Sequence, residues 1–439
     1  MITYKIGDLF DLEAGYAFKS KDFTDTGIPV LKIKNVKANS IPLHNLSYVE
    51  KNFLKTKKDK LARKGDILIT MSGNRYDGTK QTWVGKVAEF KHEGLYFINQ
   101  RVGALRPKPT AEIDISCCSY FLSSGGFQNR FIAIATSSGG QANLSPDQIL
   151  NEKIALPSIR NQKAIGDILN ALDDKIENNR QMNETLEEIA FSIFKSWFVD
   201  FDPVQAKVAG NTPAHMDAKT AALFPSSFGD DGLPKSWREE PLYNIATFIN
   251  GAAYKNMHFC DPKDGLPVIK IAELKYGISS QTKFTNTDLG EKYKISTGEI
   301  FFAWSGSPQT SINTFIWPYG NGWLNQHIFA VKENGFASLA YIYFQLKVLN
   351  PKFIEIATDK QTTGLGHVTV KDMKEMFIIS LPNEVRECFE LIANSLFEKI
   401  KLNLTKSQTL TELRDTLLPK LMSGEIRLKD AEREMGAAI

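Results

Sequence analysis

The chain is poor in the residues that build covalent or metal-held scaffolds. Only four cysteines occur among 439 residues. Cys117 and Cys118 are adjacent while Cys260 and Cys388 stand alone, so neither a disulfide framework nor a Cys-x-x-Cys metal ribbon is written here. The six histidines, His44, His92, His215, His258, His327 and His367, contain no His-x-x-x-His pair, and no metal site is expected. A run of about 18 apolar residues, the minimum for a membrane-spanning helix, is missing. The start Met1-Ile2-Thr3-Tyr4-Lys5-Ile6 also lacks the basic patch and apolar stretch of a secretory leader. Together these absences predict no membrane partner and a reducing, cytoplasmic setting.

What is present is an ordinary globular composition, with 42% hydrophobic, 23% charged and 11% aromatic residues. A chain about three times the commonest domain length predicts two or more cores rather than one. The net charge of +3 hides an uneven distribution: residues 1–157 carry 22 Lys and Arg against 15 Asp and Glu, whereas residues 158–236 carry 8 against 12. A basic first segment beside an acidic one points to a polyanionic partner for the former.

The chain also repeats itself. Gly27-Ile28-Pro29-Val30-Leu31-Lys32-Ile33 returns as Gly265-Leu266-Pro267-Val268-Ile269-Lys270-Ile271. Gly65-Asp66-Ile67-Leu68-Ile69 with Ser72-Gly73 returns as Gly298-Glu299-Ile300-Phe301-Phe302 with Ser305-Gly306. Asn99-Gln100 becomes Asn325-Gln326, and Phe131 to Thr136 becomes Phe353 to Thr358. Ile154-Ala155-Leu156-Pro157 becomes Ile379-Ser380-Leu381-Pro382. Order is kept while the offset drifts from 238 residues at Gly27 and Gly265 to 222 at Phe131 and Phe353. Two copies of one core with loops of different length produce this pattern.

Each half begins β-rich, with short apolar or β-branched runs ending at Gly, Asn or Asp, and ends helical. After Pro157, Ile165, Leu169, Leu172, Ile176, Leu186, Ile193 and Trp197 recur at alternating three and four residues, with Asn179, Asn183 and Ala190 in the same stripe. Phe389, Ala393, Leu396, Ile400, Leu410, Leu417 and Leu421 form the second stripe, broken by Asn403, Ser407 and Arg414. Asn179 and Asn403 occupy the same step, where a polar residue fixes register if the helices pair. An amphipathic helix docked on its own domain is the alternative for each. Pro419 is expected to end or kink the second helix. The turn-rich segment 200–236, with Asp202-Pro203 and Gly229-Asp230-Asp231-Gly232, reads as a linker. The expected organisation is a first domain 1–157, a helix 158–199, a linker 200–236, a second domain 237–382, a helix 383–425 and a tail 426–439.

Catalytic constellations fail one after another. Gly73 to Lys80 has the glycine spacing of a phosphate loop, but the Lys does not follow the second Gly directly and no Ser or Thr succeeds it. Asn350-Pro351-Lys352-Phe353 has Lys where an amino-methyltransferase motif needs a second Pro. Lys32 and Lys270 sit in nuclease-like strand contexts without an acidic pair shared by both halves. No catalytic residue is assigned.

Polar loops suited to reading DNA recur instead. Ser72, Asn74, Arg75, Tyr76, Lys80 and Gln81 follow a matched strand in one half; Ser305, Ser307, Gln309 and Thr310 follow it in the other. Arg101 is matched by His327. Ser138 and Gln141 follow one Ala-Thr step, and Lys360, Gln361 and Thr362 the other. Lys32, Lys34 and Lys270 complete the candidate DNA-binding set. Arg suits guanine, Asn and Gln suit adenine, and Lys and hydroxyls grip phosphate. Asn99 and Asn325 match each other and are therefore read as structural.

These residues, over nearly the whole length, resemble a specificity subunit of a type I restriction-modification system. Ile154 to Ile165 is similar to the family's run into a spacer helix, Phe194 to Val204 to its central signature, and Leu417 to Ile426 to its C-terminal one. Ser158 and Asn161 depart from the first motif, and Pro382 to Arg386 lacks its Glu-Gln step. The resemblance implies an α+β, pseudo-twofold molecule: two tandem target recognition domains, small twisted β-sheets with helices, separated by two long helices packed as an antiparallel coiled coil. Each domain would read one half of a bipartite target in double-stranded DNA. It further implies two modification subunits that bind S-adenosylmethionine, restriction subunits that use ATP and magnesium, and no cofactor or active site on this chain. A stand-alone nuclease or methyltransferase and a protein-binding coiled-coil adaptor are the alternatives.

Overall fold

The computed structural model describes residues 1–76, 82–138, 140–361 and 364–439. Two compact units divide it, Met1–Lys175 with Thr409–Ile439 and Ile176–Gln408.

In the first unit the strands Phe10–Ala14, Val102–Pro107, Ile67–Thr70 and Val87–Glu89 form an antiparallel sheet in that order. Ile67–Thr70 is buried along its whole length, as its unbroken Ile-Leu-Ile-Thr run requires of a strand covered on both faces. A second sheet runs Phe23–Thr24, Ser47–Val49, Ile28–Leu31 and Phe97–Ile98, its last pair parallel. A small ribbon joins Thr136–Ser138, Gln141–Asn143 and Ser72–Gly73. Ile2–Lys5 pairs with Lys153–Leu156, the strand that leads into the first long helix.

The second unit rebuilds this plan. Thr247–Asn250, Ile328–Lys332, Ile300–Ala303 and Asn313–Ile316 form the matching antiparallel sheet. Leu266–Ile269 and Gly322–Leu324 form the matching parallel pair within a five-stranded sheet. Ser305–Gly306 pairs with Gly366–His367, and Arg238–Pro241 with Phe377–Ser380.

The repeated sequence motifs are backbone constraints. Gly65 and Gly298 take φ of 88° and 87° in the turn before the buried strand, a conformation glycine adopts without a Cβ penalty. Asp66 then pairs with Arg106 and Glu299 with Lys332, closing the same turn in each unit. Gly15 and Gly251 let two backbones touch: a Cβ there would lie 2.3 Å from the Asn99 carbonyl oxygen and 2.1 Å from that of Asn325. Asn99 and Asn325 also donate their amides to the Leu31 and Ile269 carbonyls. Gly251→Ala must therefore push the Asn325 strand end aside. We expect it to cost about 1–3 kcal/mol or more, measurable as a lower urea midpoint. An unchanged midpoint would show that this contact yields freely.

Two long helices span Ile159–Phe198, 40 residues, and Asn383–Ser423, 41 residues. The first reaches about 60 Å at ~1.5 Å per residue. Within the second unit Asn179 Nδ2 donates to Ser407 Oγ at 3.2 Å and Asn403 Nδ2 to Asn183 Oδ1 at 2.8 Å, so the helices run antiparallel there. Asn179 and Asn403 are buried, and each polar step of the seam is satisfied by the opposing helix. Ile165, Leu169, Leu172, Phe389, Ile400 and Leu410 are buried, while Ile176, Leu186 and Leu396 are half-buried.

The structure adds to three of these expectations. The second helix continues through Pro419, which is itself exposed. Gly424, at φ 77°, stops it instead, with the Glu425 amide returning to the Lys420 carbonyl at 2.9 Å. Segment 200–236 holds helices Asp202–Val208 and Ala218–Leu223, and Val204 and Phe224 enter the core beside Trp197, Phe198 and Trp237. The tail carries the helix Leu428–Ala438, anchored by buried Ala431.

Candidate nucleic-acid interface

In the first unit the aromatic rings of Tyr16, Phe18, Phe23 and Phe53 make a shelf with successive centroids 5.0–6.3 Å apart. Two ammonium groups cover it, Lys57 at 4.6 Å from the Tyr16 centroid and Lys32 at 3.7 Å from that of Phe23. Burial first, then the neighbouring Lys34, holds the Lys32 ammonium below the usual lysine range. Lys34 itself is exposed.

The shelf leads by backbone to the loops. Tyr16 donates its amide to the Ile98 carbonyl and receives that of Gln100. The next residue, Arg101, is exposed, and its Nη1 donates to Gln141 Oε1 at 2.5 Å. Met71 ties the segments together, donating to the Arg101 carbonyl at 2.8 Å and accepting from the Leu144 amide at 2.9 Å. Three loops distant in sequence thus converge on one edge.

Not every candidate faces outward. Ser72 is buried and donates to Asn143 Oδ1 at 2.7 Å, so it fastens the ribbon rather than facing a ligand. Arg75 turns inward and donates to the Ala135 carbonyl. Asn74 donates to Thr82 Oγ1 at 3.0 Å. Tyr76 is exposed and meets Trp83 edge-on at 5.4 Å. Ser138 lies in the ribbon strand. Lys80, Gln81 and Thr362 lie outside the described residues.

The second unit puts different chemistry on the same frame. Trp304 replaces Met71: its amide donates to the His327 carbonyl and its carbonyl accepts from Val368. Its indole Nε1 donates to Asn250 Oδ1 at 3.0 Å, and its ring lies 5.6 Å from that of exposed His327. Burial lowers the His327 imidazole pKa, which favours the neutral ring. Gln309 and Thr310 are exposed on the short helix Pro308–Ser311, with Ser305 and Ser307 half-buried beside it. Lys270 is exposed, 5.6 Å from the Phe259 centroid, repeating the Lys32–Phe23 pair. Lys360 is paired with Asp372, and Gln361 is exposed.

Tyr16, Lys57 and Trp304 join the surface although the sequence reading passed over them. Their signals were position: Tyr16 follows the close-contact Gly15, and Trp304 immediately precedes the matched Ser-Gly step. Gln162, in the motif leading into the first long helix, is buried; it accepts from the Asp114 amide and donates to the Pro157 carbonyl, locking helix to domain. Cys117 and Cys118 are buried thiols whose pKa is pushed up by that burial, away from nucleophilic chemistry. Among the described residues no group of three or more His, Cys, Asp or Glu is placed to hold a metal ion.

Residues 1–188 match the family model of the type I restriction modification DNA specificity domain. The chain is 28% identical over 341 residues to the type I restriction enzyme HindI specificity subunit of Haemophilus influenzae, covering 67% of this chain and 74% of that protein. It is 28% identical over 302 residues to the type I restriction enzyme MjaIX specificity subunit of Methanocaldococcus jannaschii, covering 67% and 65%. Its fold is that of the crystal structure of the type I restriction-modification system S subunit from M. genitalium, with a TM-score of 0.53 and 19% identity over 96% of this chain and 95% of that one. A repeated α+β frame with two long helices, one matched specificity domain and relatives of the same kind agree, and the chain is similar to the type I restriction-modification specificity subunits.

Proposed function

We propose that this chain is the DNA sequence-specificity subunit of a type I restriction-modification complex. Each unit reads one half of a bipartite target, and the paired long helices set the gap and dock the partner subunits. The observation that carries this is the duplicated frame on which unlike side chains, Arg101 and Gln141 in one unit, His327 and Trp304 in the other, reach the same edge. A single frame presenting two chemistries is what two different half-sites require.

On this reading the chain performs no chemistry. Two modification subunits supply S-adenosylmethionine and methyl transfer, and restriction subunits supply ATP- and magnesium-dependent cleavage. Purified alone with S-adenosylmethionine and DNA, the chain transfers no methyl group; assembled with modification subunits it directs methylation to one split sequence. Methyl transfer or cleavage by the chain alone would instead make it an enzyme.

The cation-topped aromatic shelf is placed to grip phosphate. Lys32→Ala with Lys57→Ala is expected to lower the salt dependence of DNA binding by the assembled complex by about one unit of log–log slope per contact. The same methylation motif should persist. An unchanged slope would remove these lysines from the phosphate contacts.

A further inference from the structure

Arg101, in a turn, and Gln141, at the start of a ribbon strand, are both exposed, lie 40 residues apart, and are joined by the 2.5 Å bond from Nη1 to Oε1. A guanidinium only donates, so the bond also fixes which end of the Gln141 amide faces it. Among the described residues it engages Nη1 alone, and the Nε–H and Nη2–H pair, two parallel donors in a rigid fork, lies on the other edge of the group. The holding partner is a neutral amide, so the positive charge is not cancelled. This separates Arg101 from Arg106, which is paired with the Asp66 carboxylate, from Arg130, paired with Glu152, and from Arg75, turned onto a backbone carbonyl.

We propose, on the basis of the specificity-subunit function above, that Arg101, held by Gln141, reads one guanine of the first unit's half-site through its O6 and N7 acceptors. Guanine presents these two acceptors side by side in the major groove, and a preformed fork meets them with little loss of side-chain freedom. The duplicated frame supplies an internal contrast. The Leu144–Met71 and Val368–Trp304 backbone bonds align the two units, and they set His327 at the place of Arg101 and exposed Leu365 at the place of Gln141. Neither the fork nor its amide holder exists there, so the second half-site is not read this way at the corresponding step.

The test uses the chain assembled with its modification subunits. Methylation is mapped for wild type, Arg101→Ala, Arg101→Lys and Gln141→Leu, and binding is measured on target duplexes carrying 7-deazaguanine at each guanine of the first half-site in turn. One position should weaken wild-type binding roughly 5- to 150-fold, the range of one bidentate base contact. Arg101→Ala should lose a similar factor on natural DNA, become indifferent to 7-deazaguanine there, and methylate sites degenerate at that base alone. Arg101→Lys should not restore discrimination, and Gln141→Leu should weaken it partially. Retention of the second half-site in these variants reports that they are folded. Arg101→Ala with the wild-type motif and wild-type 7-deazaguanine sensitivity overturns the assignment while leaving the two-reader function standing. Absence of any split motif for the wild-type complex overturns both.

Discussion

Phe389→Ala is expected to lower the unfolding free energy of the Ile176–Gln408 unit by about 3–5 kcal/mol. Phe389 is fully buried at the start of the second long helix. The rings of Phe194, Trp197 and Phe198 from the first long helix and Tyr341 from the domain surround it, with centroids 5.2–6.3 Å away. Both long helices and the domain helix Leu339–Val348 therefore share one aromatic contact, and truncation leaves a cavity that no single neighbour can fill. Phe377, exposed on a strand edge, provides the control: Phe377→Ala should change stability by no more than about 0.5 kcal/mol. Urea unfolding followed by tryptophan fluorescence separates the two, since Trp197 and Trp237 lie in the same core. A loss below about 1 kcal/mol for Phe389→Ala would mean that this cluster does not hold the unit together.

Asp173→Ala should also destabilise the other unit, for an electrostatic reason. Arg414 Nη1 donates to one carboxylate oxygen of Asp173 at 2.6 Å, and the Tyr120 hydroxyl donates to the other at 2.7 Å. One carboxylate thus joins the second long helix, the first long helix and the domain helix Ile115–Ser123. The Asp173 and Arg414 side chains are each only 17% exposed, so removing the carboxylate leaves, among the described residues, a mostly buried cation with only the exposed Asp415 carboxylate at 2.7 Å and the Tyr120 hydroxyl with only Asn170 Oδ1 at 3.2 Å. Breaking one partner of a buried pair costs up to about 3–5 kcal/mol when the other is left uncompensated, and the Asp415 contact keeps the loss here below that, whereas replacing both with apolar groups can be nearly neutral. Asp173→Ala with Arg414→Met should accordingly recover much of the loss. If the double variant is as unstable as the sum of the single ones, the pair is not the linking element.

The matched motifs were legible in the sequence because they record backbone geometry. Gly65 and Gly298 mark one turn, Gly15 and Gly251 one close approach, and Asn99 and Asn325 one bridge. The long helices were legible from apolar spacing, to within a residue or two at their ends. Segment 200–236 was not, because Val204 and Phe224 are too sparse to form a periodic stripe and gain meaning only against Trp197 and Trp237. Pro419 does not end the helix, which stops at the left-handed Gly424 instead. The loop surface was half legible. Composition marked the polar segments, but whether Ser72 and Arg75 turn inward or Arg101 stays outward depends on Asn143, Ala135 and Gln141, contributed by loops remote in sequence.

Genome-wide methylation mapping tests the central claim most directly, comparing cells that express this chain with its modification subunit against cells lacking only this chain. The account predicts one split motif, two unlike half-sites at a fixed gap, that disappears without the chain. Methylation that is identical in both, or a single undivided motif, would contradict the assignment of two readers held apart by paired helices.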